Sequence, residues 1–431
     1  MRIVVWGTGI TGVTTARVMA GRGHEVRLVD ERLPQSMPGM PVSLLTEEDL
    51  AWADLVIPSP GVPRHHPLLG RAGKVLSEIE VASGLLSGRL VGITGTNGKT
   101  TTTTLIHRIL AAQGLNAGIG GNISPPLISL VDADPAYVVA EISSFQLEWI
   151  EHFRPYIAIC MNITPDHLDR YGSMEDYVYY KLRIFENQTE SDLAFVNDDD
   201  PYLKDVAVRA RRVVFSMHHP TSGDGAYVRD ARIVFTGSIA GEGPRVPPPE
   251  KIGGGVIEDM LATALAGRFL GVSCEVMEEV FLGFRVIHHR FEHVRTIDGI
   301  TFIDDSKATN VGALDKALAT LSSKVLLILG GKDKGGDFSD IARRHHRTIR
   351  KAYVIGEAAG RISGEISGIV ACENARDMNE AVNLAYASAE PGDVVLLSPG
   401  CASFDMFNSY AHRGEVFQEC VRGILQNRPA R

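Results

Sequence analysis

The chain has 431 residues, too many for a single hydrophobic core and enough for two or three domains. Its composition, 44% hydrophobic and 22% charged with 44 glycines, is that of a globular α/β protein and excludes a disordered or collagen-like chain. The net charge of −9 argues against nucleic acid as a partner, since that affinity comes from clustered Lys and Arg.

The first segment, MRIVVWGTGITG, carries a short apolar run into Gly7-x-Gly9-x-x-Gly12, and Asp30 closes a second run, EVRLVD. This spacing predicts a βαβ unit whose turn cradles a diphosphate in backbone N–H groups. RIVVW, TTARVMAGRG, EVRLVD and ADLVIPSPG alternate strand and helix patterns, which predicts a parallel sheet with crossover helices. Near residue 85 the rhythm restarts: GRLVGITG enters a glycine-rich turn, and TTTTLIHRILAAQG is a helix with Leu105, Ile106, Ile109 and Leu110 on one face. AYVVAEIS and YIAICMNI are further strands, each ending in polar residues. Residues 213–250, rich in β-branched residues, Gly and Pro, are expected to form antiparallel edge strands and a loop. A helix is expected at about 256–270, and a third α/β module follows in GITFIDDS, KVLLILGG, KAYVIG and DVVLLSPG. The expected fold class is α/β with three domains, 1–85, 86–286 and 287–431, each with a mainly parallel sheet and the central one carrying extra antiparallel strands. No apolar stretch approaches the length of a membrane span. Five cysteines without a CxxC pair fit reduced thiols, and cytoplasmic location is the expectation.

The stretch ITGTNGKTTTT sets Gly95, Gly98, Lys99 and Thr100 between a strand and a helix N-terminus. Glycines there let N–H groups turn around phosphate oxygens, the helix dipole favours the anion, and Lys99 reaches the outer phosphates. Ile93 stands where the strict GxxxxGK[ST] pattern has Gly, so an ordinary glycine turn stays open; GKT directly after a strand favours ATP or GTP. Glu141 follows an apolar run, His167 sits in a similar loop, and Lys181 lies fourteen residues later on a helix. A carboxylate and an imidazole beside the Thr100 hydroxyl suit Mg²⁺, although His167 taken alone reads first as a surface histidine, and it is the company it keeps that favours a ligand.

TGTNGKTTT, AEISSFQLE, NITPDHLDRY, HHRFE, DDSKATN, LGGKDKGGDF and LSPGCASFDMF, in this order across essentially the whole chain, resemble the Mur ligase family, and within it the branch that adds D-glutamate. The resemblance implies three domains: a Rossmann-like one for a UDP-sugar, a central P-loop ATPase, and a Rossmann-like C-terminal one that closes over the site. It implies ATP-driven phosphorylation of the terminal carboxylate of UDP-MurNAc-L-Ala, followed by attack of the D-glutamate amine on the acyl phosphate. It assigns Gly95, Thr96, Asn97, Gly98, Lys99, Thr100 and Thr101 to the ATP phosphates, with Arg290 and Lys307 near them and Asp305 on the ribose. Two Mg²⁺ ions are implied, one held by Thr100 and Glu141, the other by His167 and a carbamylated Lys181.

Gly9, Ile10, Thr11, Gly12, Asp30, Ser59, Asn122, Ser143 and Gln146 fall to the UDP-sugar, and Thr309, Lys334, Ser403, Phe404 and Tyr410 to D-glutamate. Thr309 and Ser403 read equally well, taken singly, as cap or turn residues. The sequence departs from the family pattern in three places. Gly255 and Val256 replace an HN pair and Asp259 an Asn near the adenine, Tyr410 stands where Phe is usual, and Glu31 where Thr or Ser is common. Competing readings are a folylpolyglutamate synthase, an NAD-dependent dehydrogenase argued from GTGITG alone, and a nucleotide-binding protein without catalysis. A monomer is expected, with no nucleic acid and no membrane insertion.

Overall fold

Four strands, Arg2–Trp6 (β1), Glu25–Asp30 (β2), Val42–Leu44 (β3) and Leu55–Pro58 (β4), form a parallel sheet of order β3-β2-β1-β4. Ile3, Val4, Val5 and Trp6 are all buried, the continuous apolar run of a strand covered on both faces. The structure, a computed structural model, describes residues 1–33, 40–285 and 288–426. They divide into two compact units, the first of residues 1–163, 173–245 and 259–280, the second of 164–172, 246–258 and 281–431. The expected boundary at 286/287 lies outside the described residues.

The first unit also holds a nine-stranded sheet. Its strands are Arg89–Thr94 (β5), Ala117–Gly121 (β6), Tyr137–Glu141 (β7), Ile157–Cys160 (β8), Leu193–Asn197 (β9), Arg211–Ser216 (β10), Gly225–Arg229 (β11), Arg232–Thr236 (β12) and Gly241–Arg245 (β13). Their order is β13-β12-β11-β10-β9-β8-β5-β7-β6. Leu105, Ile106, Ile109 and Leu110 are fully buried on one face of the helix Lys99–Ala112, as the periodicity predicts. The expectation for 213–250 needs correction. β10 runs parallel to β9 and to β11, and antiparallel pairing begins only at β11/β12. Val213, Val214 and Phe215 are buried, which is the pattern of a covered parallel strand rather than an edge. The β11–β12 turn is the two-residue loop Asp230–Ala231 with φ 52° and 55°, the primed geometry whose twist suits a hairpin.

The second unit contains Glu292–Ile297 (β14), Ile300–Asp304 (β15), Val325–Gly330 (β16), Ile349–Ile355 (β17), Cys372–Asn374 (β18) and Val394–Leu397 (β19), in the order β14-β15-β19-β16-β17-β18. All pairs are parallel except the β14/β15 hairpin, turned by Asp298 and Gly299 at positive φ. Val325, Leu327 and Leu329 of β16 join one core and Leu326 and Ile328 the other, so the period of two fills both faces. The helix expected at 256–270 runs over Gly254–Leu270.

Two carboxylates on the helix Glu78–Ser83 are buried in the first unit. Glu80 accepts from the N–H groups of Glu151, His152 and Phe153 at 2.8–2.9 Å, so its charge is fully hydrogen-bonded. Glu78 accepts one bond, from Ile128 N at 2.6 Å, and its Oε2 is buried without a partner. Burial pushes this carboxyl up to about 7, against the smaller lowering by Ile128 N–H. The unfolded chain releases the proton near its ordinary 4.5 and the folded chain only near 7, so stability falls with rising pH across that window and is level above it. Glu78→Gln removes the titration. Its unfolding free energy should gain on the wild type through that window, by on the order of 3 kcal/mol at about pH 8. Urea titrations at acid, neutral and mildly alkaline pH check this, and parallel curves for the two proteins would refute it.

Candidate active site

In the first sheet β1 lies between β2 and β4, so the loop after it opens at the point where strand order reverses. Gly7 has φ 123°, and a Cβ there would strike the Ser59 hydroxyl that follows β4. A Cβ on Gly12 would strike the Gly7 carbonyl, so this glycine lets the helix Ile10–Gly21 seat on the loop. Gly9 is extended at the N-cap, and Ile10 and Thr11 open the helix, whose first N–H groups lack intrahelical partners. Asp30 Oδ2 accepts from the backbone N and the hydroxyl of Thr8, both at 2.8 Å. Partial burial opposes ionisation of Asp30, yet these bonds hold its carboxyl below the usual range. Glu31 pairs with His66 Nε2 at 3.0 Å, and that imidazole packs edge-on against Trp6 at 4.8 Å.

The corresponding place in the nine-stranded sheet is β5, between β7 and β8. Gly98, at φ 87°, caps the helix Lys99–Ala112, and Gly95 has φ 143°, with Met161 Cβ 2.9 Å from where its own Cβ would stand. Asn162, just after β8, braces the loop: its carbonyl accepts from Thr96 N at 2.8 Å and its Oδ1 from Asn97 N at 2.9 Å. Two ammonium groups meet on one carbonyl, since Gly95 O accepts from Lys99 Nζ at 2.8 Å and from Lys181 Nζ at 2.7 Å. Lys181 is 2% exposed and lies 4.7 Å from the Tyr177 ring centroid, while the Tyr177 hydroxyl bonds Thr96 Oγ1 at 3.1 Å. Thr100 is half-buried in the first helical turn, and the Thr101 hydroxyl is buried without a partner.

Glu141 ends β7, level with Ile93 of β5. Its Oε1 accepts from Asn122 Nδ2 at 2.8 Å, and its Oε2 is buried with no hydrogen-bond partner. An ionised oxygen in that state suits a cation. Ser143 and Gln146, assigned by sequence to the UDP-sugar, form a reciprocal cap on the helix Ser144–Leu147. Asp259, assigned to the adenine region, puts its Oδ1 against the backbone of Gly98 and accepts there from the Thr102 hydroxyl at 3.2 Å. Its carboxylate braces the start of the phosphate-loop helix.

In the second unit β19 lies between β15 and β16, and the residues assigned to D-glutamate and to the far side of ATP follow these three strands, apart from Arg290, which precedes β14. Arg290 stands between His289 and Phe291, both at positive φ (64° and 48°), a conformation that costs about 1 kcal/mol or more per residue. Two buried acids hold this turn. Asp304 accepts from His289 Nδ1 at 2.7 Å and Gln418 Nε2 at 2.9 Å; Asp305 accepts from Phe291 N at 3.1 Å and Ser398 Oγ at 2.9 Å. Burial pushes Asp305 up to about 7, against the lowering by Ser398, Phe291 N–H and Arg290. The acid expected on the ribose therefore has both oxygens engaged inside the unit. Among the described residues His289, Glu292 and Asp304 bring ligand-type atoms within 4.8 Å of one another, but Gln418 and the His289 N–H already donate into the cluster.

Lys307 lies 3.7 Å from the Tyr410 ring centroid, which places the ring of the Phe-to-Tyr position in contact with that cation. Arg413 is fully buried and donates to Ser306 Oγ and O and to the carbonyls of Cys401 and Ala402, tying the loop after β15 to the one carrying Ser403. Burial lowers its guanidinium to about 10, so it remains a cation at neutral pH. Ser403 is buried and Phe404 is 73% exposed. Lys334 Nζ donates to Asp166 Oδ1 at 2.9 Å, and Asn310, next to Thr309, donates to Asp166 Oδ2 at 3.3 Å. His167, at φ 55°, belongs to the segment 164–172 of this unit, whereas Thr100, Glu141 and Lys181 belong to the first. Burial opposes ionisation of Asp166, and Lys334 and His167 outweigh it, holding the carboxyl below the ordinary range.

Sequence reading missed Thr8, Asn162, Tyr177, Asp166, Asn310 and Arg413. Asp166 and Asn310 had a signal, since each flanks a residue that was singled out, His167 and Thr309. Arg413 had none, because its partners lie up to 107 residues away.

Comparison with known proteins places these features in one family. The Mur ligase middle domain model matches residues 93–235, and the Mur ligase glutamate ligase domain model matches residues 289–401. A protein of Geobacter metallireducens named UDP-N-acetylmuramoylalanine–D-glutamate ligase is 42% identical, covering 98% of this chain and 97% of that protein. One of the same name from Koribacter versatilis is 40% identical over 99% of this chain and 98% of that protein. Among solved structures, a pseudomurein peptide ligase type C from Methanothermus fervidus superposes with TM-score 0.65 at 19% identity, covering 98% of this chain and 99% of that one. MurF ligase from Thermotoga maritima in complex with ADP gives TM-score 0.62 at 17% identity, covering 99% and 95%. Both share the fold.

Gly98→Ala tests the central loop, because it forces a side chain into positive φ and against Asp259. Binding of a triphosphate nucleotide, followed by calorimetry, should weaken at least about tenfold, with melting a few degrees lower. Unchanged affinity would show that this loop does not cradle the phosphates.

Proposed function

The chain belongs to the Mur ligase family, and from that premise we propose that it is the ATP-dependent ligase that joins D-glutamate to UDP-N-acetylmuramoyl-L-alanine in peptidoglycan precursor synthesis. The carrying observation is the central loop, where a left-handed Gly98 opens a helix N-terminus and two lysines converge on the Gly95 carbonyl. Such a loop presents N–H groups and the Lys99 ammonium to a polyanion, as an ATP-consuming step requires. The domain limits we assign are 1–85 for the UDP-sugar, 86–286 for ATP and 287–431 for the amino acid.

The reaction brings a carboxylate against a γ-phosphoryl group, so the work of the protein is positioning and charge neutralisation. Lys99 and the N–H groups of 96–101 hold the phosphates. Thr100 and Glu141, whose Oε2 is buried and unpartnered, fit a hard, oxygen-seeking cation and would hold Mg²⁺. A divalent ion at that place supplies neutralisation of the phosphate charge. For a second ion we assign His167 and Lys181, the latter as a carbamate, since an ammonium is a donor and only its carbamate offers oxygen ligands.

The first sheet's loop, with Gly9, Ile10, Thr11 and Gly12, receives the pyrophosphate of the UDP-sugar. Lys334, Thr309 and Ser403 receive the two carboxylates of the amino acid, and exclusion of water there protects the acyl phosphate until the amine attacks. Among the described residues no helix is long and apolar enough to cross a membrane. We place the enzyme in the cytoplasm, as a monomer.

Phosphate release from ATP in the presence of UDP-MurNAc-L-Ala, with D-Glu, L-Glu and L-Lys supplied in turn, tests this. Release is expected with D-Glu alone, and no release with any of the three overturns the reading. Lys181→Ala should reduce ligation by at least about a thousandfold, with bicarbonate restoring part of it. Wild-type turnover in that variant would remove Lys181 from the site.

A further inference from the structure

We infer that Asp166 is a positioning residue, whose single carboxylate sets the Lys334 ammonium and the His167 backbone together and so links amino-acid binding to the placing of the imidazole. The inference rests on the proposed roles of Lys334 and His167. Asp166 is 6% exposed. Its Oδ1 accepts from Lys334 Nζ at 2.9 Å and from His167 N at 2.9 Å, and its Oδ2 accepts from Asn310 Nδ2 at 3.3 Å. Three segments distant in sequence thus converge on one group: the loop after β8, the cap of the helix Val311–Thr320, and the loop after β16.

A purely structural acid would need none of these partners to be functional. Here each partner is assigned to the reaction or adjoins a residue that is. His167 is held at φ 55° and ψ 29°, a conformation a non-glycine residue keeps only when its surroundings fix it, and the bond from its own N–H to Asp166 is one such fixture. The segment is further pinned by close approach, since a Cβ on Gly312 would stand 2.5 Å from the Thr164 hydroxyl. Lys334 has three N–H donors. With one on Asp166, the ammonium keeps a fixed place while the remaining donors serve an incoming carboxylate.

Asn310 makes the arrangement testable. Its Oδ1 accepts from Ala313 N at 2.9 Å as the helix cap, so its amide cannot flip without losing that bond. In Asp166→Asn two N–H groups therefore face one another. The double variant Asp166→Asn with Asn310→Asp restores a donor and an acceptor in reversed order, keeps the cap, and leaves the net charge unchanged.

Steady-state kinetics with D-glutamate, ATP and Mg²⁺ varied separately, alongside thermal melts of each protein, provide the experiment. For Asp166→Asn we expect KM for D-glutamate to rise at least about tenfold, the Mg²⁺ requirement to rise severalfold, and KM for ATP to stay within about twofold. The double variant should recover most of the D-glutamate effect. Asp166→Asn with unchanged KM for D-glutamate and unchanged Mg²⁺ requirement overturns the inference, as does a folded double variant with no recovery. If the single variant fails to fold and the double variant folds with recovered KM, the pairing stands; if neither folds, the carboxylate serves the fold and the inference is wrong. A wild-type protein without D-glutamate-dependent phosphate release would instead sink the proposed function, and that control is read first.

Discussion

Two ammonium groups share the carbonyl oxygen of Gly95, and much of the first unit is arranged around that fact. Lys99 reaches it from the first turn of its own helix, Lys181 from a helix more than eighty residues later. Like charges this close repel, and Lys181 is almost wholly buried. The same place carries the helix N-terminus capped by Gly98 and the unpartnered oxygen of Glu141. A loop rich in donors thus accompanies a carboxylate with one oxygen that accepts no hydrogen bond. Backbone N–H groups at a helix start suit an anion, and a carboxylate oxygen in that state suits a hard cation.

The three sheets reach this kind of site by the same topological route. In each, a strand lies between neighbours that the chain reaches in opposite directions: β1 between β2 and β4, β5 between β7 and β8, β19 between β15 and β16. The loops beyond the carboxyl ends of such strands diverge and leave a crevice, whatever the sequence within it. Fold alone therefore supplies three crevices, and side chains decide what each accepts. The glycine loop after β1 packs against Ser59 and receives a backbone cradle but no lysine. The loop after β5 takes two lysines from helices onto its Gly95 carbonyl, and the loops around β19 have Lys334 paired to an acid and Arg413 spread over carbonyls.

The features legible in sequence were those whose cause is local. Gly95, Gly98 and Lys99 lie within five residues, and the requirement for positive φ next to a helix start can be read from spacing alone. The apolar runs of the parallel strands were equally plain, because burial on both faces leaves no polar alternation to confuse. The direction of β10 was not legible: its apolar run looks alike whether its partner is parallel or antiparallel, and only the long return from β9 decides. The internal bonds of Asp259 and Asp305 were not legible for a related reason. Sequence gives a carboxylate beside a motif but not which way it faces, and both are engaged by internal donors, Thr102 in one case and Ser398 with Phe291 N–H in the other.

The partners that escaped sequence reading share a property, which bears on how such a site keeps its shape. Asp166, Asn162, Tyr177 and Arg413 bond to backbone groups or to the ends of functional side chains, so their effect is exerted through other residues. Arg413 shows the reasoning most clearly. A guanidinium buried without a carboxylate on it is expensive unless every N–H finds an acceptor, and here the acceptors are main-chain carbonyls and one hydroxyl from two loops. Replacing it by an apolar group of similar volume would leave those carbonyls unsatisfied, and replacing it by lysine would satisfy fewer of them, since an ammonium cannot span the fork geometry. The loop bearing Ser403 is consequently fixed by a residue that is itself out of reach of any substrate. Rigidity at the surface of the site is produced one layer beneath it.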